Sequence, residues 1–96
     1  MTQPVIFKFR LYTADDAPNS VEAIADLNTF CQTYLPGRHE IELVDVYKNP
    51  KRALADGVSM TPTLIKIAPA PVHRIVGTLG RAQTLLDAFG LKALVA

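Results

Sequence analysis

Pro62 is the residue that most restricts how this chain folds. It stands directly ahead of Thr63-Leu64-Ile65-Lys66-Ile67-Ala68, a β-branched run with the period-two alternation of a strand. A proline has no N–H to give to a ladder, and it pushes the residue before it out of helical space. Thr61-Pro62 is therefore a boundary, with a strand after it and a tight turn before it, and a cis peptide is expected there. Pro69 and Pro71 close the same run on its far side, and another apolar run, near Val72 to Gly77, follows at once. That spacing is a hairpin's, so the two strands are predicted to pair antiparallel with the prolines kept out of the ladder.

The rest of the chain supplies elements at short intervals. From Pro4 to Tyr12, Val5, Phe7, Phe9 and Leu11 fall on one face, with Ile6, Lys8, Arg10 and Tyr12 on the other. After a polar loop over Thr13 to Ala17, Pro18-Asn19-Ser20 opens a helix, with Asn19 expected to cap it and Glu22 to complete a capping box. The inward stripe is predicted as Val21, Ile24, Leu27, Asn28, Cys31, Tyr34 and Leu35, and Pro36-Gly37 stops the helix. A second strand is predicted over Ile41 to Tyr47. Asn49 as cap, Pro50 at the first helical position and Gly57 as terminator then delimit a short helix. Arg81 to Phe89 reads as a last helix, with Ala82, Leu85, Leu86 and Phe89 on its inner stripe and Gly90 at its end. The order is β-α-β-α-β-β-α. It implies an α/β fold of one domain, 1–96, with a mixed four-stranded sheet and helices packed on its faces.

Composition narrows the function. Ten basic and nine acidic residues leave a formal charge of +1, too balanced to predict a nucleic-acid or anionic-membrane surface. No uninterrupted apolar run approaches the roughly 20 residues of a membrane span, and Met1-Thr2-Gln3-Pro4 carries none of the marks of an export signal, so cytoplasm is the expectation. Cys31, His39 and His73 are scattered single residues, which gives no metal site, and no glycine-rich loop with a lysine offers to hold a nucleotide phosphate. Asp15-Asp16 reads as a solvated turn. No cofactor is expected.

The predicted order is also the minimal thioredoxin-like arrangement, and thioredoxin-like domains place a cis-proline where Pro62 stands. A dithiol oxidoreductase of that kind needs a thiolate at the helix start and a second cysteine within a turn of it. Here the helix start reads Ala17-Pro18-Asn19-Ser20, and the chain has one cysteine. Cys31 lies eleven residues beyond Ser20, about 16 Å along the helix, on the apolar stripe, where a free cysteine is a small core residue. Ser20 as a nucleophile would need a base, and the sequence places neither histidine beside it. The scaffold is thus expected without the redox chemistry, and the chain is expected not to be an enzyme. An interaction surface is left, and its basic residues fall in two groups: Lys8 and Arg10 on one face of the first strand, and Lys48, Lys51 and Arg52 around the start of the short helix.

Several motifs together carry a closer resemblance. Tyr12, Pro18-Asn19-Ser20, Val44-Asp45-Val46, Lys48-Asn49-Pro50, Thr61-Pro62-Thr63-Leu64, Lys66, Pro69, Pro71-Val72 and Arg74-Ile75-Val76-Gly77 resemble the KaiB family of circadian clock proteins, from about residue 6 to residue 80. The resemblance implies a non-enzymatic regulator that binds the ATPase ring of a KaiC-type hexamer, in a circadian clock or in a timer or stress-response role. It also implies KaiA or a sensor histidine kinase as further partners. A second implication is a KaiB-like sensor or adaptor module serving a signalling kinase or another ATPase, though a chain of this length opening on methionine favours a free-standing protein. The partner-contact set expected on this basis is Lys8, Arg10, Lys48, Lys51 and Arg74. Family members are metamorphic: a tetrameric ground state with a rearranged C-terminal half exchanges with a thioredoxin-like monomer. The candidate switch positions here are Pro62, Pro69, Pro71, Ala88 and Gly90. Where family clock proteins carry a Gly-Leu-Asp-Leu-Leu-like stretch, this chain reads Asp87-Ala88-Phe89-Gly90-Leu91. Alanine inside a helix is better than glycine by about 1 kcal/mol, so the thioredoxin-like state, as monomer or dimer, is the expectation for the isolated chain.

Overall fold

A computed structural model describes residues 5–91. Its elements are β1 (Phe7–Thr13), α1 (Pro18–Tyr34), β2 (His39–Asp45), α2 (Pro50–Ala55), β3 (Thr63–Ala68), β4 (His73–Val76) and α3 (Ala82–Ala88). The sheet order is β2-β1-β3-β4, with β1 and β2 parallel and the β1/β3 and β3/β4 pairs antiparallel. The mixed sheet and the hairpin are those expected, and the Thr61-Pro62, Ala68-Pro69 and Ala70-Pro71 peptides are all cis. Pro62 sits before the first residue of β3, while Pro69 and Pro71 lie in the connection to β4, so no proline interrupts a ladder.

Alternation along the strands divides the apolar residues between two faces. Phe7, Phe9 and Leu11 of β1 and Leu64 of β3 meet Ala23, Leu27, Phe30 and Cys31 of α1 and Leu85 and Leu86 of α3 in the larger core. Phe89 closes that core, with ring centroids 5.2 Å from Phe9 and 5.9 Å from Phe30. The opposite face carries a smaller cluster, Tyr12, Val44, Ala53 and Ile65, under α2. Both α2 and α3 end in the same way. The N–H groups of Gly57 and Val58 turn back to the carbonyls of Leu54 and Ala53, and those of Gly90 and Leu91 to Asp87 and Leu86. Each is a Schellman ending that needs a left-handed residue, and Gly57 (φ +67°) and Gly90 (φ +69°) supply it.

Four expectations need correction. Asn19 does not cap α1: Ala17 is the N-cap and Pro18 the first helical residue, the position its fixed φ suits best. The Asn19 side chain instead donates to the Thr61 carbonyl at 3.2 Å, and Ser20 Oγ accepts the Ala14 N–H at 2.9 Å. Of the predicted inner stripe of α1, Leu27, Cys31 and Leu35 are buried and Ile24 and Tyr34 pack against the core, but Val21 and Asn28 lie outside, while Ser20, Ala23 and Phe30 are also buried. β2 lies two residues earlier than expected, because it pairs in register with β1 from Phe7↔His39 to Thr13↔Asp45 and then turns into α2. Of the predicted first strand, Pro4 lies outside the described residues, and Val5 precedes β1 and is exposed.

Candidate functional site

The face bearing α2 holds the charged residues that the sequence singled out. A six-residue helix has too few turns to persist on propensity alone, so its position is set by what it docks on. Ala53 packs inward on Tyr12, Val44 and Ile65. Around this apolar seat, Arg10 Nε donates to Glu42 Oε1 at 2.7 Å and Arg10 Nη1 to Asp56 Oδ2 at 3.0 Å, while Arg52 Nη2 donates to Glu42 Oε2 at 2.9 Å. The Tyr12 hydroxyl donates to Asp56 and lies 3.2 Å from the Arg52 carbonyl. Arg74, from β4, donates to the carbonyls of Asp56 and Gly57, where α2 leaves its last carbonyls open. Two arginines therefore bracket Glu42, and Asp56 joins β1, α2 and β4.

These contacts move the titrations of the groups involved. Hydrogen bonds from Arg10 and then Arg52 hold the Glu42 carboxyl below its ordinary value, and those from Tyr12 and Arg10 do the same for Asp56 against some loss of hydration. The bond to Glu42 raises Arg10, and burial followed by the Asp56 contact raises Tyr12. At the other end of α2, Asp45 shapes the approach: its Oδ1 accepts the Tyr47 N–H at 2.8 Å and its carbonyl accepts the Asn49 N–H at 2.9 Å. Asn49 occupies the cap position as expected, but its side chain donates back to the Asp45 carbonyl at 3.2 Å. This turn leaves Tyr47 74% exposed, and Leu54 on the outer side of α2 is 81% exposed.

The five predicted contact residues separate into three kinds. Lys48 and Lys51 are exposed at the start of α2, with no ion pair among the described residues. Arg10 and Arg74 reach the same region but are engaged with the far end of α2. Lys8 points to the same face of the sheet and pairs with Glu40 at 3.7 Å, away from the helix. Tyr47 and Leu54 are exposed apolar residues near these cations that the sequence reading did not single out; Leu54 follows the inward-docked Ala53 in a short helix and so turns outward, which only the folded chain shows.

Where α1 begins, the chemistry of a thiol enzyme has no group to act through. Ser20 is fully buried, and its hydroxyl oxygen is occupied by the Ala14 N–H. Cys31 is also fully buried, and loss of hydration pushes its thiol up to about 12. Among the described residues, no group of three or more His, Cys, Asp or Glu side chains is placed to hold a metal ion, and no helix is long and apolar enough to cross a membrane.

Solved structures share this architecture at low sequence identity. Chloroplastic thioredoxin z superposes with a TM-score of 0.72 at 18% identity, over 94% of this chain and 95% of that one. Thioredoxin 1 from Thermosipho africanus gives 0.68 at 17%, over 86% and 90%. They establish the thioredoxin-like fold. Sequence relatives are more specific. The circadian clock oscillator protein KaiB of Thermostichus vulcanus is 39% identical over 80 residues, 83% of this chain and 74% of the relative. That of Prochlorococcus marinus is 42% identical over 77 residues, 80% of this chain and 66% of the relative. The KaiB domain family model matches residues 10–90, so the chain belongs to the KaiB family.

Proposed function

We propose that this protein is a non-enzymatic, KaiB-type regulator that docks on the ATPase ring of a KaiC-type hexamer and modulates its phosphorylation and ATPase state. The observation that carries the proposal is the division of labour around α2. Its inner side and C-terminal end are fixed by Tyr12, Arg10, Glu42 and Arg74. Lys48 and Lys51 are exposed around its start, Tyr47 is exposed in the turn before it, and Leu54 is exposed near its C-terminal end. Exposed apolar and cationic side chains on and beside an element already held in place lose little conformational entropy through that element on binding. Lys48 and Lys51 make the contact in this reading, Arg10 and Arg74 hold the helix in position, and Lys8 lies at the margin. The regulator on the ring would then capture KaiA, and a sensor kinase would compete with the regulator for the ring.

Size-exclusion chromatography with light scattering, on the protein alone and with a KaiC-type ATPase and ATP, tests this. Co-migration with the hexamer that is lost in the Lys48→Glu, Lys51→Glu double variant is expected. A free tetramer that joins the hexamer only slowly would place the exchange between family folds in this chain. Absence of co-migration would reject the KaiC-type partner and turn the search to a signalling kinase or another ATPase.

A further inference from the structure

Lys66 is out of character for its position. Alternation along β3 puts it on the face of Leu64, opposite Phe9 in the ladder, and it is only 3% exposed. An ammonium that has lost its water is costly unless it is paired. Among the described residues Lys66 makes no ion pair. Its Nζ donates to the Pro69 carbonyl at 2.8 Å and stands 6.0 Å from the centroid of the Phe7 ring. The Pro69-Ala70-Pro71-Val72 connection between β3 and β4 has two residues without an N–H, and among the described residues it makes no turn or loop hydrogen bond between backbone groups. The bond from Lys66 is the one side-chain hydrogen bond that reaches it among the described residues.

We propose that Lys66 is an internal latch for the β3–β4 hairpin. The buried ammonium gathers the Pro69 carbonyl and the Phe7 ring about one point. The connection is thereby tied to β1 as well as to its own hairpin. β4 then leaves the turn in the register that pairs Ile65 with Arg74, and Arg74 reaches the carbonyls of Asp56 and Gly57. A charge that would otherwise burden the core selects this hairpin. The latch concerns the fold alone and stands or falls without the partner proposed above.

A latch and a merely tolerated buried charge predict opposite outcomes for Lys66→Met, which keeps the length of the side chain and removes the ammonium. If Lys66 is a latch, amide exchange in β4 and at Gly77, whose N–H is bonded to the Pro62 carbonyl, quickens at least about tenfold relative to the β1–β2 amides. If protection in β4 is kept or raised and the urea midpoint climbs, the charge is only a burden and the latch is overturned. A second measurement needs no variant to fold. In the unaltered protein, nitrogen-15 spectra of the lysine ammonium groups should contain one signal that exchanges slowly with water and shows an Overhauser contact to the Phe7 ring. If every lysine ammonium exchanges freely, the proposal is rejected.

Discussion

Glu42 and Asp56 make the placement of α2 sensitive to acid. Both carboxyls titrate lower in the folded chain than in the unfolded one, because arginine and tyrosine donors favour their charged forms. Their stabilisation is therefore complete above the ordinary carboxylate range, about pH 4, and drains away as the pH falls through the folded values below it. Glu42 is 45% and Asp56 30% exposed, so solvent screening keeps each ion pair to about 1 kcal/mol or less. The urea midpoint should be level from pH 7 to 5 and fall between pH 4 and about 2, and Glu42→Gln should lower the neutral plateau and flatten part of that fall. A profile unchanged by the substitution would remove Glu42 from the clasp. Cys31 makes a complementary case. With its thiol pushed up to about 12 inside the larger core, it should resist a thiol reagent at pH 8 in the native protein and react fully in denaturant. Prompt native labelling would contradict its burial.

The elements show where sequence patterns were sufficient and where they were not. Thr63–Ala68 is the predicted strand to the residue, because Pro62 and Pro69 bound it by rules that act on the backbone itself. The order, the mixed sheet and both glycine stops of α2 and α3 were legible for the same reason. The edges of the α1 face were not: Val21 and Asn28 each lie one residue from a buried position, Ser20 and Leu27, and an apolar or small polar residue fits either side of a 3.6-residue period. Tertiary packing decides, so the two readings can be separated by truncation. Phe30→Ala, which removes a ring packed on Tyr34 and Phe89, should cost about 3–5 kcal/mol, whereas Val21→Ala should stay within about 0.5 kcal/mol. Urea unfolding of the two variants measures the difference, and similar losses would return Val21 to the inner stripe. Gly57→Ala isolates the end of α2. The added methyl would meet only Arg74 Nη1 at 3.9 Å, so the expected loss of about 1–2 kcal/mol comes from holding alanine at positive φ rather than from a clash.

At the scale of the whole molecule, the candidate site is a property of residues distant in sequence. Lys48, Lys51 and Arg74 were visible as cations, and all three are exposed, but only folding shows that Arg74 is bound to backbone carbonyls, because that depends on contacts such as Arg74 with Asp56, eighteen positions apart. The two faces of the sheet divide the work: α1 and α3 close the larger core, while α2 seats its Ala53 on three buried residues, Tyr12, Val44 and Ile65, within a ring of charges. That asymmetry makes a prediction in which stability and binding part company. Reversing Lys48 and Lys51 removes no ion pair or side-chain hydrogen bond found among the described residues, so the melting temperature should stay within about 2 °C while binding to a KaiC-type hexamer weakens tenfold or more. Arg74→Ala uncovers the end of α2 and frees β4 from it, so stability and binding should fall together. Thermal unfolding and a binding titration on both variants make the comparison. If the lysine variant is the one that loses stability, or if Arg74→Ala binds as the unaltered protein does, then holding α2 in place and contacting the partner are not separate tasks on this surface.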